Sequence, residues 1–116
     1  MRIALNGWFW DQPYTGSGQY LRRLVSSLRR IAPDDQLILV LPSRIPSPQG
    51  VPEGVEVMHA SGGSGNPGKV WFEQRAFPAA AGKAKADLAH VPYWGGPLSS
   101  PIPLVVSVLD VIPLEL

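Results

Sequence analysis

Near its start the chain runs from an apolar stretch, Ile3-Ala4-Leu5-Asn6-Gly7-Trp8, to a small-residue stretch, Thr15-Gly16-Ser17-Gly18-Gln19-Tyr20, and then into an amphipathic segment. Strand, glycine turn and helix in that order are how α/β sheets present backbone N–H groups and a positive helix end to an anion. The spacing predicts a helix over Gln19 to Ile31, where Tyr20, Leu21, Leu24, Val25, Leu28 and Ile31 recur helically and Pro33 ends the pattern. Its other face carries Arg22, Arg23, Arg29 and Arg30, which reads more readily as a solvated face than as a seat for acidic lipid or a phosphorylated acceptor.

Downstream, Gln36 to Leu41 is a continuous apolar run of the kind covered on both faces, closed by Pro42. The proline-rich Ser43 to Gly54 reads as a surface loop, and Val55 to Ala60 as a weaker third strand. Ser61 to Gly68 has the composition of a mobile loop. Over Val70 to Ala86 a second helix is expected, with Trp71, Phe72, Ala76 and Phe77 on its apolar side, Glu73 and Gln74 on another, and a break or kink at Pro78. Leu88 to Val91 and Leu104 to Leu109 read as the fourth and fifth strands, the last apolar up to Asp110. Apolar strands without clean alternation, interleaved with helices, predict an α/β fold: a Rossmann-like, mostly parallel sheet with helices on both faces.

With 116 residues, 45% of them hydrophobic and 16% charged, the chain suits one globular core and not two. A net charge of +1 gives no argument for nucleic acid, and the lack of cysteine excludes disulfides, thiolate metal sites and a thiol nucleophile. Strand-like sequence begins within two residues of Met1, which argues against a secretory signal, and no stretch reaches the length of a membrane span. A cytoplasmic protein is expected, with any membrane contact peripheral, on the inner face.

In a doubly wound sheet the crevice lies beside the carboxyl ends of the first and fourth strands. That places Gly16, Ser17, Gly18 and Tyr20 next to His90, Tyr93 and Trp94, the expected substrate-binding residues. Trp8, Trp10, Tyr14, Tyr93 and Trp94 either give flat platforms for a sugar-like ligand or plug the end of the core. His90 reads as a general base, a hydrogen-bond donor or a structural contact. A dinucleotide site is disfavoured, since Leu21 stands at the third glycine position and Pro42-Ser43-Arg44 follows the second strand where an acid is needed. Gly63 to Val70 matches a phosphate-binding P-loop except at Val70, where magnesium binding needs Ser or Thr, and Pro67 deletes an N–H. Asp110 resembles that motif's partner acid. His59 and His90 have no carboxylate at metal-ligand spacing, so no metal and no resident cofactor are expected.

The ordered set Met1 to Leu5, Thr15-Gly16-x-Gly18-x-Tyr20, Trp71-x-Glu73-Gln74 with Pro78, Ala86-Asp87-Leu88-x-His90-x-Pro92-Tyr93, and Pro103 to Ser107 followed by Asp110-x-Ile112-Pro113 resembles the amino-terminal domain of family 4 glycosyltransferases with the GT-B fold. The resemblance implies a retaining transferase in which this half binds a sugar or lipid-linked acceptor, as in cell-envelope polysaccharide synthesis, and a carboxy-terminal half binds the nucleotide-sugar donor. It also implies that the loop of Gly16 and Gly18 faces the donor diphosphate and offers N–H groups to the leaving group. Leu109 stands where the family usually has histidine, so the catalytic residues are not assigned beyond Asp110 beside it as a candidate. A non-catalytic sugar-binding module and a P-loop nucleotide protein are the other readings. The chain reads as truncated, inactive alone, and prone to self-association through Val111, Ile112, Leu114 and Leu116, each worth about 1.5 to 3 kcal/mol when buried.

Overall fold

The computed structural model describes residues 1–61, 65–93, 97 and 99–107. Strands β1 (Arg2–Asn6), β2 (Gln36–Pro42), β3 (Glu56–Ala60), β4 (Leu88–Val91) and β5 (Leu104–Val106) form one sheet. The order is β3-β2-β1-β4-β5, and every pairing is parallel. This is the Rossmann-like α/β fold. Ile3 lies opposite Leu37 on one side and Leu88 on the other, so the first strand made is the middle strand of the sheet.

The run from Leu37 to Pro42 is buried throughout, as a strand covered on both faces must be. Its alternate residues serve two cores. Leu37, Leu39 and Leu41 join Ile3 and Leu5 beneath Leu21 and Val25 of helix α1 (Gly16–Ile31). Ile38 and Val40 join Ala4, Ala89 and Val91 on the opposite face, against Phe72, Phe77 and Ala81. Small residues on β1 and β4 leave room for the two phenyl rings, whose centroids lie 6.3 Å apart.

Helix α1 starts three residues earlier than its apolar spacing predicts. Thr15 is the N-cap: its Oγ1 accepts the Gly18 N–H at 3.0 Å, and its carbonyl accepts the Gln19 N–H at 3.0 Å. Two of the four arginines on the outer face are engaged with backbone. Arg22 donates to the carbonyls of Trp10 and Gln49, and Arg29 to those of Glu53 and Pro33. They tie the proline-rich connection from β2 to β3 down onto the helix, while Arg23 and Arg30 are exposed.

The second helical stretch departs most from expectation. It begins at Gly65, so Gly65 to Gly68 are helical and not a mobile loop; residues 62–64 lie outside the described ones. Helix α2 (Gly65–Trp71) passes through a π-helical turn (Phe72–Ala76) into α3 (Phe77–Lys83). Pro78 does not end the helix: it sits in the first turn of α3, directly after the π turn. Proline has no N–H for the carbonyl four residues back. The wider turn supplies a different pairing, with the Phe77 N–H donating to Phe72 O. The extra residue also turns the helix face. Trp71 is 53% exposed where it was expected inside, and Glu73, expected outside, is 6% exposed.

The fifth strand is described over Leu104–Val106, not to Leu109, and the apolar tail from residue 108 lies outside the described residues. Among the described residues no helix is long and apolar enough to cross a membrane.

Candidate functional site

The strand order reverses between β1 and β4, and the carboxyl ends of those strands carry two polar clusters, one on each face of the sheet. The first joins the two expected loops through a residue that neither contains. Ser107, one residue beyond β5, is held by its N–H on Val91 O at 2.9 Å. Its Oγ lies 2.9 Å from His90 Nε2 and 3.3 Å from the Tyr20 hydroxyl. Burial lowers the His90 pKa from its ordinary 6.5, so the ring is neutral at pH 7. Having one proton and two lone pairs, the serine can donate to the histidine while accepting from the tyrosine.

Beside this cluster, the first turn of α1 contains no acidic residue. The Gly18 N–H is used by Thr15, but those of Gly16 and Ser17 have no acceptor among the described residues. The helix end is therefore electropositive and open to an anion. The two glycines differ. Nothing lies within 4 Å of a Cβ built on Gly16, whereas one on Gly18 would meet Gln12 O at 1.9 Å and Phe9 O at 3.0 Å. Gly18 is thus required for the helix to pass under the preceding loop, whatever it does for a ligand.

The second cluster lies between β1 and the π turn. Glu73 pairs with Lys69 at 2.8 Å, and the Lys69 ammonium sits 4.9 Å from the centre of the Tyr93 ring and 5.6 Å from that of Phe9. Asn6, fully buried, accepts the Trp8 N–H on Oδ1 at 2.9 Å, but among the described residues its Nδ2 has no partner, nor has the Tyr93 hydroxyl. Glu73 and Asn6 both lie close enough to Tyr93 to influence its ionisation, without forming a hydrogen bond of full geometry. Burial, followed by the charge of Glu73, holds the Tyr93 phenol far above its ordinary pKa of 10.0.

Of the aromatic residues considered as platforms, Trp8, Trp10 and Tyr93 are 5%, 1% and 3% exposed and belong to the cores. Arginines cover two of them: Arg44 lies 4.5 Å over Trp8, and Arg22 lies 4.4 Å over Trp10. Tyr14 is exposed, while Trp94, Leu109 and Asp110 lie outside the described residues. His59 bonds to Ile45 O at 2.8 Å, away from both clusters. Of the stretch that matches a P-loop, Gly65 to Gly68 are helical where the motif needs a loop around phosphate, and Lys69 is paired with Glu73. Sequence reasoning missed Ser107, Asn6, Lys69 and Glu73 as site residues. Glu73 and Ser107 stand within the motifs of the resemblance and Lys69 within the P-loop match, and the Lys69/Glu73 spacing of four is a further readable signal.

Fold and site together define a Rossmann-like α/β domain with a polar crevice at its switch point. Compared with protein-family models, with curated proteins and with solved structures, the chain finds no match.

Proposed function

We propose that the chain is the acceptor-side domain of a retaining glycosyltransferase of the family 4 kind, moving a sugar from a nucleotide-sugar donor to a glycan or lipid-linked acceptor. The observation that carries this reading is the meeting, at one switch point, of the acid-free start of α1 with the Tyr20–Ser107–His90 cluster. As the bond from sugar to diphosphate breaks, negative charge grows on the leaving oxygen, and in this reading the Gly16 and Ser17 N–H groups would donate to it. Neutral His90 supplies a hydrogen-bonding group for an acceptor hydroxyl, with Ser107 and Tyr20 fixing its ring. The donor would be held by a second Rossmann-like half. The ordered motifs that resemble the family support the same reading.

A second reading, a non-catalytic sugar-binding module of the same fold, is favoured by Leu109, which can neither donate nor accept a hydrogen bond where the family has histidine. Two measurements separate them. The purified 116-residue chain is expected to show no turnover with UDP-, GDP- or ADP-sugars, and turnover would overturn the division of labour between halves. Coding sequence downstream of Leu116 for a second Rossmann-like half supports the transferase, whereas a stop codon there supports the module.

A further inference from the structure

Between the β1–α1 connection, the end of β2 and the start of α2 lies a pocket of about 220 Å³. Trp8 and Gln12 line it from the first of these, Arg44 from the second, and Asn66 and Lys69 from the third. Like the cluster around Ser107 it is at the carboxyl edge of the sheet, where α/β domains take ligands, but it is over β1 and β2. The transferase reading assigns it no role, and the P-loop match that takes in Asn66 and Lys69 falls on a helix.

Its charges are balanced in pairs. Arg44 is bridged to Asp11 and also donates to Trp8 O at 2.7 Å, and Lys69 is bridged to the buried Glu73. Two cations answered by two carboxylates leave no net field to collect a free anion. What remains is a set of fixed N–H donors from Arg44 and Lys69, with two amide side chains that both donate and accept. Sugar hydroxyls also donate and accept, and so match such a set. The volume is below the roughly 300 to 1,000 Å³ of clefts that take drug-sized ligands, which suits a single ring.

A second observation points the same way. Lys69 is backed by the buried cluster of Glu73, Tyr93 and Asn6, its ammonium 2.8 Å from the Glu73 carboxylate and 4.9 Å from the centre of the Tyr93 ring. An ion pair to a buried carboxylate and a ring face beside it hold the lysine head at the wall of the pocket instead of letting it sweep solvent. We infer that this pocket is a subsite for one uncharged pyranose unit, with Lys69, Arg44, Gln12 and Asn66 as its hydrogen-bonding residues and Glu73 as a positioning residue acting through Lys69. The inference rests on the acceptor-side reading for its choice of a sugar, and it names the part of the acceptor next to the transfer site as neutral.

The test is a ¹⁵N NMR titration of the 116-residue chain with methyl α-D-gluco-, manno- and galactopyranoside, and separately with inorganic phosphate. Saturable shifts are expected at Gln12, Arg44, Asn66 and Lys69 with at least one pyranoside, and weaker ones with phosphate. Lys69→Met should weaken binding about tenfold, the effect of one charge-assisted hydrogen bond. Because that variant disturbs a buried pair, Gln12→Ala and Asn66→Ala serve as independent checks. Each should weaken binding about fivefold, as for one neutral hydrogen bond, with the fold unchanged. No saturation with any pyranoside, tighter binding of phosphate, or unchanged affinity in both alanine variants would each overturn the inference. The transferase reading fails separately, through a stop codon after Leu116, and that result leaves this titration untouched.

Discussion

Under α1 the sheet meets a regular helix. Ile3, Leu5, Leu37, Leu39 and Leu41 pack on Leu21 and Val25, and the polar groups of that face, Tyr20, Ser107 and His90, stay at its half-exposed rim with partners found. Across the sheet the same strands meet a helix interrupted by a π turn. There Glu73, Tyr93 and Asn6 are buried, and two of their polar atoms lack partners among the described residues. The first face shows how a continuous helical period yields a scaffold held by shape. The second shows how one extra residue in a turn can carry a carboxylate inside, to the end of the central strand.

If shape governs the α1 face, the largest loss should come from Gly18→Val, whose branched side chain must displace the Gln12 backbone. Overpacking of this kind typically costs about 1 to 3 kcal/mol and occasionally more, and the top of that range is expected from urea unfolding. A loss below 1 kcal/mol would show that the loop yields. On the other face charge should dominate. Lys69→Met leaves Glu73 buried without its partner, and breaking a buried pair costs about 3 to 5 kcal/mol. With Lys69 partly exposed, about 2 kcal/mol is expected here, and most of it should return in the double variant Lys69→Met/Glu73→Leu. Failure of the second change to restore stability would mean that the pair is not what the first one broke.

The two faces should also weaken at opposite ends of the pH scale. Tyr93 has a raised pKa in the fold, so above pH 10.0 the unfolded chain loses a proton that the folded chain keeps, and stability falls as pH rises. His90 has a lowered pKa, so below pH 6.5 the unfolded chain gains a proton that the folded chain refuses, and stability falls as pH drops. Tyr93→Phe should flatten the alkaline limb and His90→Gln the limb just below 6.5, each without touching the other. The smallest effect is expected from Gly16→Ala, a gain of about 0.5 to 1 kcal/mol from helix propensity in open space. A loss there would show that the first turn of α1 is not relaxed.

Much of the scaffold was legible. A continuous apolar run marked β2, and the 3.6-residue recurrence marked the body of α1, because each of these signals comes from burial that the final fold keeps. Their limits were blurred where capping decides: Thr15 recruits Gly16 to Gly18 into the helix, although glycines there suggest a turn. The phase of the second helix could not be read, since an α period was applied through a π turn that only the pairing of Phe77 with Phe72 reveals. Gly65 to Gly68 looked like a linker for want of any signal that α2 begins there. At the site, Tyr20 and His90 were found by topology, but Ser107 was read as part of the apolar run from Leu104 to Leu109. Trp8 and Trp10 seemed available because nothing in their spacing shows the arginines that cover them.

The central position of β1 sets the order in which the chain can assemble as it is made. Arg2 bonds to Gln36, 34 residues later, and through its N–H to Asp87, 85 residues later. During synthesis one edge of β1 can therefore be occupied by β2 while the other must wait for β4. A nascent chain would spend that interval as a half-sheet with Ala4 and Asn6 unprotected. Because ribosomes add about 5 to 20 residues per second, the wait lasts on the order of several seconds, long enough for a chaperone to engage the open edge before His90 and Ser107 exist to complete the site.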